Sequence, residues 1–162
     1  IAAAACLAAT AQADTVEPSL IGDWSCSAAP SDANYSSQVA FTATYGENGT
    51  YTAKSDATIR TPSVGRYRVI STDTGTYTLV DGLLVTTATD VTAETTALAG
   101  RVAEEAGMLP RITDSVDRSA KAGIGKPKTR RINWTDENNI TLQDNAEGTG
   151  TTYECGRGEA TD

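Results

Sequence analysis

Few residues in this chain of 162 could do chemistry, and histidine is absent altogether. Histidine is the commonest general base and the commonest metal ligand, so its absence argues against acid–base catalysis and against a metal site. The adjacent acids Glu104 and Glu105 lie at neighbouring positions of a predicted helix and point apart. Asp73, Asp81 and Asp136 occupy predicted turns, which favour aspartate for backbone reasons. We predict no catalytic residue, metal or cofactor; an enzyme would need a cleft with paired carboxylates of shifted pKa.

The three cysteines, Cys6, Cys26 and Cys155, are the remaining reactive side chains. Residues 1–13 read IAAAACLAATAQA and end in an A-x-A cleavage site, so we interpret them as the remnant of a secretory signal peptide before a single domain at 14–162. The alternatives are an alanine-rich helix of the mature fold and a lipoprotein signal with Cys6 lipidated. Export to the periplasm or the cell exterior would remove Cys6 with the signal peptide and leave the pair Cys26 and Cys155. In an oxidising compartment such a pair predicts a disulfide. Two buried free thiols would fit a chain that is not exported.

A run of basic residues stands out in a chain whose net charge is −8. It has no acid within it and consists of Arg118, Lys121, Lys126, Lys128, Arg130 and Arg131. Gly123, Gly125 and Pro127 predict a loop at its middle. One interpretation is a patch for an anionic envelope component, and the other is a solvated loop that neutralises neighbouring acids. The acidic chain as a whole argues against nucleic-acid binding, which needs a basic surface. No stretch approaches the twenty apolar residues of a transmembrane segment.

Short alternating segments between Gly and Asp turns predict the strands that must position these residues. The first six predicted strands are 20–28, 38–45, 50–59, 65–71, 76–80 and 83–89. The hairpin turns among them are Glu47-Asn48-Gly49, Asp73-Thr74-Gly75 and Asp81-Gly82. Three more strands follow at 129–135, 140–143 and 151–157.

A different pattern interrupts the strands at about 93–122. Apolar residues recur there every four positions, which is typical of a helix; they are Leu98, Val102 and Ala106, then Ile112, Val116 and Ala120. Pro110 lies between the two sets and favours a helix start. The segment therefore predicts two helices, about 95–107 and 110–121, inserted before the last strands. They could be a lid over a binding site or a structural plug.

The two ends of the strand pattern carry a short motif. Gly22-x-Trp24 opens the first strand, and Arg157 lies in the last one. In these features the chain resembles the lipocalins and their calycin relatives, which pack a basic residue of the last strand across the tryptophan ring. The resemblance implies a mainly β protein, an antiparallel up-and-down barrel of 8–9 strands with the tryptophan at its closed end. Cys26 lies two residues after Trp24, and Cys155 lies two residues before Arg157. Pairing of the first and last strands would therefore bring the two cysteines close to each other, and Arg157 close to Trp24. The alternative is a sandwich whose terminal strands pair.

A lipocalin-like interior implies a binder of an apolar or amphipathic small molecule. The candidate lining residues are Val39, Phe41, Tyr51, Tyr67, Val69, Tyr77 and Leu79. A second hypothesis is a protein-binding module of the envelope, such as a protease inhibitor or an assembly factor, which would use the helices and the basic run. A deep apolar cavity would favour the first hypothesis, and a filled barrel with an apolar patch on the helices would favour the second.

Overall fold

The fold is a closed barrel of eight antiparallel strands in which each strand pairs with its neighbours along the chain. The computed structural model describes residues 18–32, 35–62, 65–99 and 108–158; the predicted signal remnant at 1–13 lies outside them. The strands are β1 (Gly22–Ala28), β2 (Ser36–Tyr45), β3 (Thr50–Thr61), β4 (Gly65–Val80), β5 (Leu83–Ala99), β6 (Pro127–Asp136), β7 (Asn139–Gln143) and β8 (Thr152–Arg157). Within the described ranges, one helix, α1 (Met108–Ala122), lies between β5 and β6. The predicted mainly β, up-and-down antiparallel barrel is confirmed.

The closed end of the barrel holds the apolar core. Residues alternate between the interior and solvent along each strand, and the inward positions of neighbouring strands pair in register, as Trp24 does with Ala43. Trp24, Leu84 and Leu142 are the largest side chains that are almost completely buried. The indole of Trp134 packs edge-on against that of Trp24, with ring centroids 5.9 Å apart. Because these residues fill one end, any open space must lie nearer the other.

The predicted turn at Asp73-Thr74-Gly75 is wrong, because β4 runs without interruption through these residues. The pairing with β5 shifts by one residue between Thr74 and Gly75, which is a β-bulge. Gly75 is needed there because a Cβ atom at this position would collide with the carbonyl oxygen of Thr87 on β5. The glycine therefore permits close approach of two strands within a sheet. The two short strands predicted at 65–71 and 76–80 are one, which reduces the count from nine to eight.

The two-helix insertion is also not confirmed. The predicted helix at 95–107 is wrong over its first residues, since β5 continues to Ala99; the remainder lies outside the described residues. The segment is rich in β-branched residues such as Val91, Thr92 and Thr95, and the long strand β4 offers its backbone a partner as far as Arg66. Strand pairing thus overrides the four-residue spacing that begins at Leu98. The second predicted helix, 110–121, corresponds to α1.

The barrel closes where β1 pairs with β8. Trp24 lies opposite Arg157 and Cys26 opposite Cys155, in a ladder that joins the two ends of the described chain. A disulfide links Cys26 and Cys155, as predicted, and encloses a separation of 129 residues. We call this β1–β8 pairing the closure ladder.

Candidate functional site

The barrel contains a cavity of about 520 Å³ between the closed-end core and helix α1. This volume lies in the range of pockets that enclose a small organic molecule. Its wall comes from strands β2 to β6, from β8 and from the end of α1. The lining residues are Val39, Phe41, Tyr45, Tyr51, Ala53, Ser55, Ser71, Asp73, Thr86, Ala88, Val91, Ala120, Gly123, Lys126, Pro127, Lys128, Arg130 and Tyr153.

The apolar part of the wall is formed by β2 and its neighbours. Val39 and Phe41 are inward positions of β2, and the ring of Phe41 packs edge-on against that of Tyr153 at a centroid distance of 5.3 Å. Ala53 on β3 and Val91 on β5 extend this surface. Small side chains at these positions leave the space unfilled, since larger ones would occupy it.

The seven predicted lining residues share the inward face of the sheet, and the structure divides them into three groups. Val39, Phe41 and Tyr51 line the cavity. Tyr77 and Leu79 pack on the closed-end core below it, with the ring of Tyr77 4.9 Å from that of Tyr45. Tyr67 and Val69 lie near the start of β4, where they pair with Ile59 and Ala57 of β3. They do not belong to the cavity wall.

Two tyrosines form the polar part of the cavity floor. The hydroxyl of Tyr51 donates a hydrogen bond to Asp73 Oδ2 at 2.7 Å. Burial, together with the hydrogen bond to Asp73, raises the pKa of Tyr51 well above its ordinary value. Burial also raises the pKa of Tyr45 to about 12. Both phenols are therefore neutral donors at ordinary pH.

Two cations on β6 point into the cavity. Lys128 and Arg130 alternate with outward residues on β6, on the same face as the buried Ile132. Lys128 pairs with Thr86 and Arg130 with Leu84 on β5. Arg130 is therefore the deeper of the two, one inward position above the apolar core.

One carboxylate lies close to both cations. Asp144 Oδ1 is 3.5 Å from Arg130 Nε and 3.7 Å from Lys128 Nζ. The Arg130 Nε and Asp144 Oδ1 atoms are buried and have no hydrogen-bond partner within the described part of the chain. Partial burial, followed by the charge of Arg130, lowers the pKa of Lys128. The site thus holds two crowded cations with one shared counter-charge.

The other residues of the basic run lie elsewhere, apart from Lys126, which joins Lys128 and Arg130 in the cavity wall. Arg131 points to the opposite side of β6, where its guanidinium donates two hydrogen bonds to the carbonyl of Ala146. Lys121 pairs with Asp117 one turn earlier on α1, at 2.8 Å, and Arg118 is exposed on the same helix. Binding of an envelope component by this run stays a prediction.

The alternation of residues along β6 contains a sequence signal for the two inward cations. Every second position of the strand is occupied by Lys128, Arg130, Ile132 and Trp134. Because alternate residues share one face of a strand, the inward orientation of the two apolar residues predicts that the two cations also point inward. The glycines and Pro127 predict a loop at the middle of the run, and the predicted strand starts only at residue 129. The strand begins at Pro127 itself.

The residues of the Gly-x-Trp motif form a separate cluster at the closed end. The guanidinium carbon of Arg157 lies 4.5 Å from the centroid of the Trp24 ring, within the range of a cation–π contact. The same group donates hydrogen bonds of 2.7 Å to the carbonyls of Ile21 and Ser19. Gly22 has a φ of 115°, and a Cβ there would lie 3.1 Å from Arg157 Nη1. The cluster holds the chain before β1 against the last strand.

Helix α1 borders the cavity through its last turn. Ala120 and Gly123 contribute to the wall, and the N–H of Gly125 donates to the carbonyl of Ala88 on β5 at 2.9 Å. This hydrogen bond fixes the turn between α1 and β6 beside the cavity. The end of the helix therefore borders the space that a ligand would occupy.

Comparisons with protein families and with curated proteins identified no relative of this chain. No protein-family model matches the chain, and a search of curated proteins found no match. No helix in the described ranges is both long and apolar enough to cross a lipid bilayer. Within the same ranges, no three Cys, Asp or Glu side chains are grouped so as to hold a metal ion. A proposal about function rests on the cavity and its lining residues.

Proposed function

We propose that this protein is an exported carrier of a small amphipathic molecule, built as a lipocalin-like barrel. The observation that supports the proposal most directly is the cavity of about 520 Å³ inside the barrel. The cavity exposes the side chains of Val39, Phe41 and Ala53. A bound apolar group would remove this apolar surface from water, which is favourable. The disulfide agrees with export to an oxidising compartment.

The surface of α1 gives little support to the alternative, a protein-binding module. The large hydrophobic side chains exposed in the described ranges are Ile21, Tyr35, Val80 and Ile124. Ile124 alone adjoins the helix. A protein-binding site usually presents a contiguous apolar patch, so the cavity is the stronger candidate.

The first test is native mass spectrometry of the protein purified from its own compartment, followed by solvent extraction. A stoichiometric small molecule is expected, and its structure would identify the class of ligand. The cavity is tested separately with N-phenyl-1-naphthylamine, a neutral dye that fluoresces when it leaves water. We expect saturable binding.

Two valines provide a matched pair for that titration. Val39→Trp places an indole ring in the cavity and should weaken dye binding at least tenfold, whereas Val80 is 63% exposed and Val80→Trp should leave it unchanged. An empty barrel, together with a Val39→Trp variant that binds the dye like the wild type, would contradict the carrier function.

A further inference from the structure

We infer that the ligand of the cavity is an organic acid with an apolar body, whose anionic group is bound by Arg130 and Lys128. This inference rests on the proposed carrier function and specifies the chemical class of its ligand. It follows from the position, pairing and surroundings of the two cations.

The position of Arg130 is the first argument. Its side chain is 20% exposed and extends from an inward position of β6, between the core residue Ile132 and the cavity. Placing a guanidinium in the interior of a barrel is costly unless its donors are paired. The internal partner is Asp144, and the nearest contact, from Nε to Oδ1, does not form a hydrogen bond. Because Arg130 also lines the cavity, an anion held there would add a counter-charge to the one that Asp144 shares with Lys128.

The balance of charge is the second argument. Among the described residues, Lys126, Lys128 and Arg130 line the cavity, and Asp73 is the one acid in its wall. Asp73 already accepts a hydrogen bond from Tyr51, and the next carboxylate, Asp144, is shared between two cations. The cavity therefore has a positive lining inside a protein whose net charge is −8. Charges inside a cavity with apolar walls act more strongly on a ligand than charges in water.

The arrangement of the wall is the third argument. The cations lie on β6, whereas Val39 and Phe41 lie on β2, and the two strands do not pair with each other. One side of the cavity is thus basic and another is apolar. A molecule with an anionic group at one end and an apolar body matches this division, because each part meets its complement.

The test compares two dyes that differ by one charged group. N-phenyl-1-naphthylamine is neutral, and 8-anilinonaphthalene-1-sulfonate carries the same ring system with an added sulfonate. We expect the purified protein to bind the sulfonate at least tenfold more tightly than the neutral dye. Equal affinity, or a preference for the neutral dye, would overturn the inference and leave the carrier function standing. If neither dye binds saturably, the carrier function itself is contradicted, and the inference with it.

Substitutions of single cations test where the anionic group of the dye binds. Arg130→Met keeps the volume of the wall and removes the charge, so it should lower the ratio of sulfonate to neutral-dye affinity about tenfold, the loss of one charge-assisted hydrogen bond. Lys128→Met provides a second variant at a half-exposed position, in case Arg130→Met does not fold. Lys121→Met removes a helix cation outside the cavity wall and should leave the ratio unchanged.

A further substitution is expected to have the opposite effect on the affinity for the sulfonate dye. Asp144→Asn removes the counter-charge shared by Arg130 and Lys128, so it should raise the affinity for the sulfonate several-fold. A fall in sulfonate affinity in Asp144→Asn, or equal ratios in Arg130→Met and Lys121→Met, would show that the cations of β6 do not bind the anion.

Discussion

Removal of the disulfide tests how much of the stability depends on closing the barrel. The bond encloses a separation of 129 residues, and the chain-entropy relation gives about 17 cal/mol/K for such a loop, or about 5 kcal/mol at 25 °C. For a domain of this size the corresponding fall in melting temperature is about 10–20 °C. This value is an upper bound, because the closure ladder and the contacts of Arg157 also hold β1 against β8.

The assay is urea unfolding followed by circular dichroism, with the Cys26→Ala/Cys155→Ala double variant compared with the wild type. Both proteins carry Cys6→Ser, so that no third thiol can exchange. Cys26 and Cys155 are 5% and 4% exposed, and their replacement also removes packed sulfur atoms. The wild type in reductant keeps those atoms and breaks the bond, so it separates the two effects. A reduced wild type within about 1 kcal/mol of the oxidised protein would refute the loop-closure reasoning.

Three further substitutions test other contacts. Gly75→Ala introduces a side chain that collides with the β5 backbone and should lower the free energy of unfolding by about 2–3 kcal/mol, whereas Gly156→Ala, with its nearest atom at 3.7 Å, should be close to neutral. Arg157→Ala removes the cation–π contact and two hydrogen bonds of 2.7 Å, and should cost about 1–3 kcal/mol in a thermal melt; a loss of similar size in Arg157→Lys would show that charge alone matters little. The pKa of Tyr45 rises from 10.0 to about 12 on folding, so its stabilising contribution is present below pH 10 and lost between about pH 10 and 12. Tyr45→Phe should therefore flatten the fall of stability with pH in that window, measured by urea titration, and Tyr35→Phe, which changes an exposed tyrosine, provides the comparison.

The barrel could be predicted because its signals are local. Alternation over residues 38–45 and the Asp81-Gly82 turn, with φ of 52° and 71°, depend only on neighbouring residues. The bulge at Gly75 could not be recognised in the same way. The sequence Asp73-Thr74-Gly75 favours a turn, and the backbone of Thr87 that requires the glycine belongs to the next strand. The extension of β5 to Ala99 likewise depends on the length of β4, which is a non-local property.

The cavity was predicted only in part. The inward faces of β2 and β3 follow from alternation, which explains why Val39, Phe41 and Tyr51 were found. How far the core extends along the barrel depends on where side chains from opposite walls are large enough to contact each other. Tyr77 and Tyr67 share one face of β4, yet one packs on the core and the other lies beyond the cavity wall. No pattern along a single strand specifies that depth.

The closure ladder also constrains how the chain reaches its native state. Every other strand pair joins segments that follow each other along the sequence, whereas β1 and β8 come from opposite ends of the described chain. Contacts of such large sequence separation form slowly, because the intervening chain loses entropy before they are made. Until Thr152–Arg157 are available, β1 and β7 each present an unpaired edge, and an open edge can recruit strands from other molecules. We therefore expect a chain that lacks β8 to be an open sheet prone to aggregation, which the addition of β8 converts into a ring without edges.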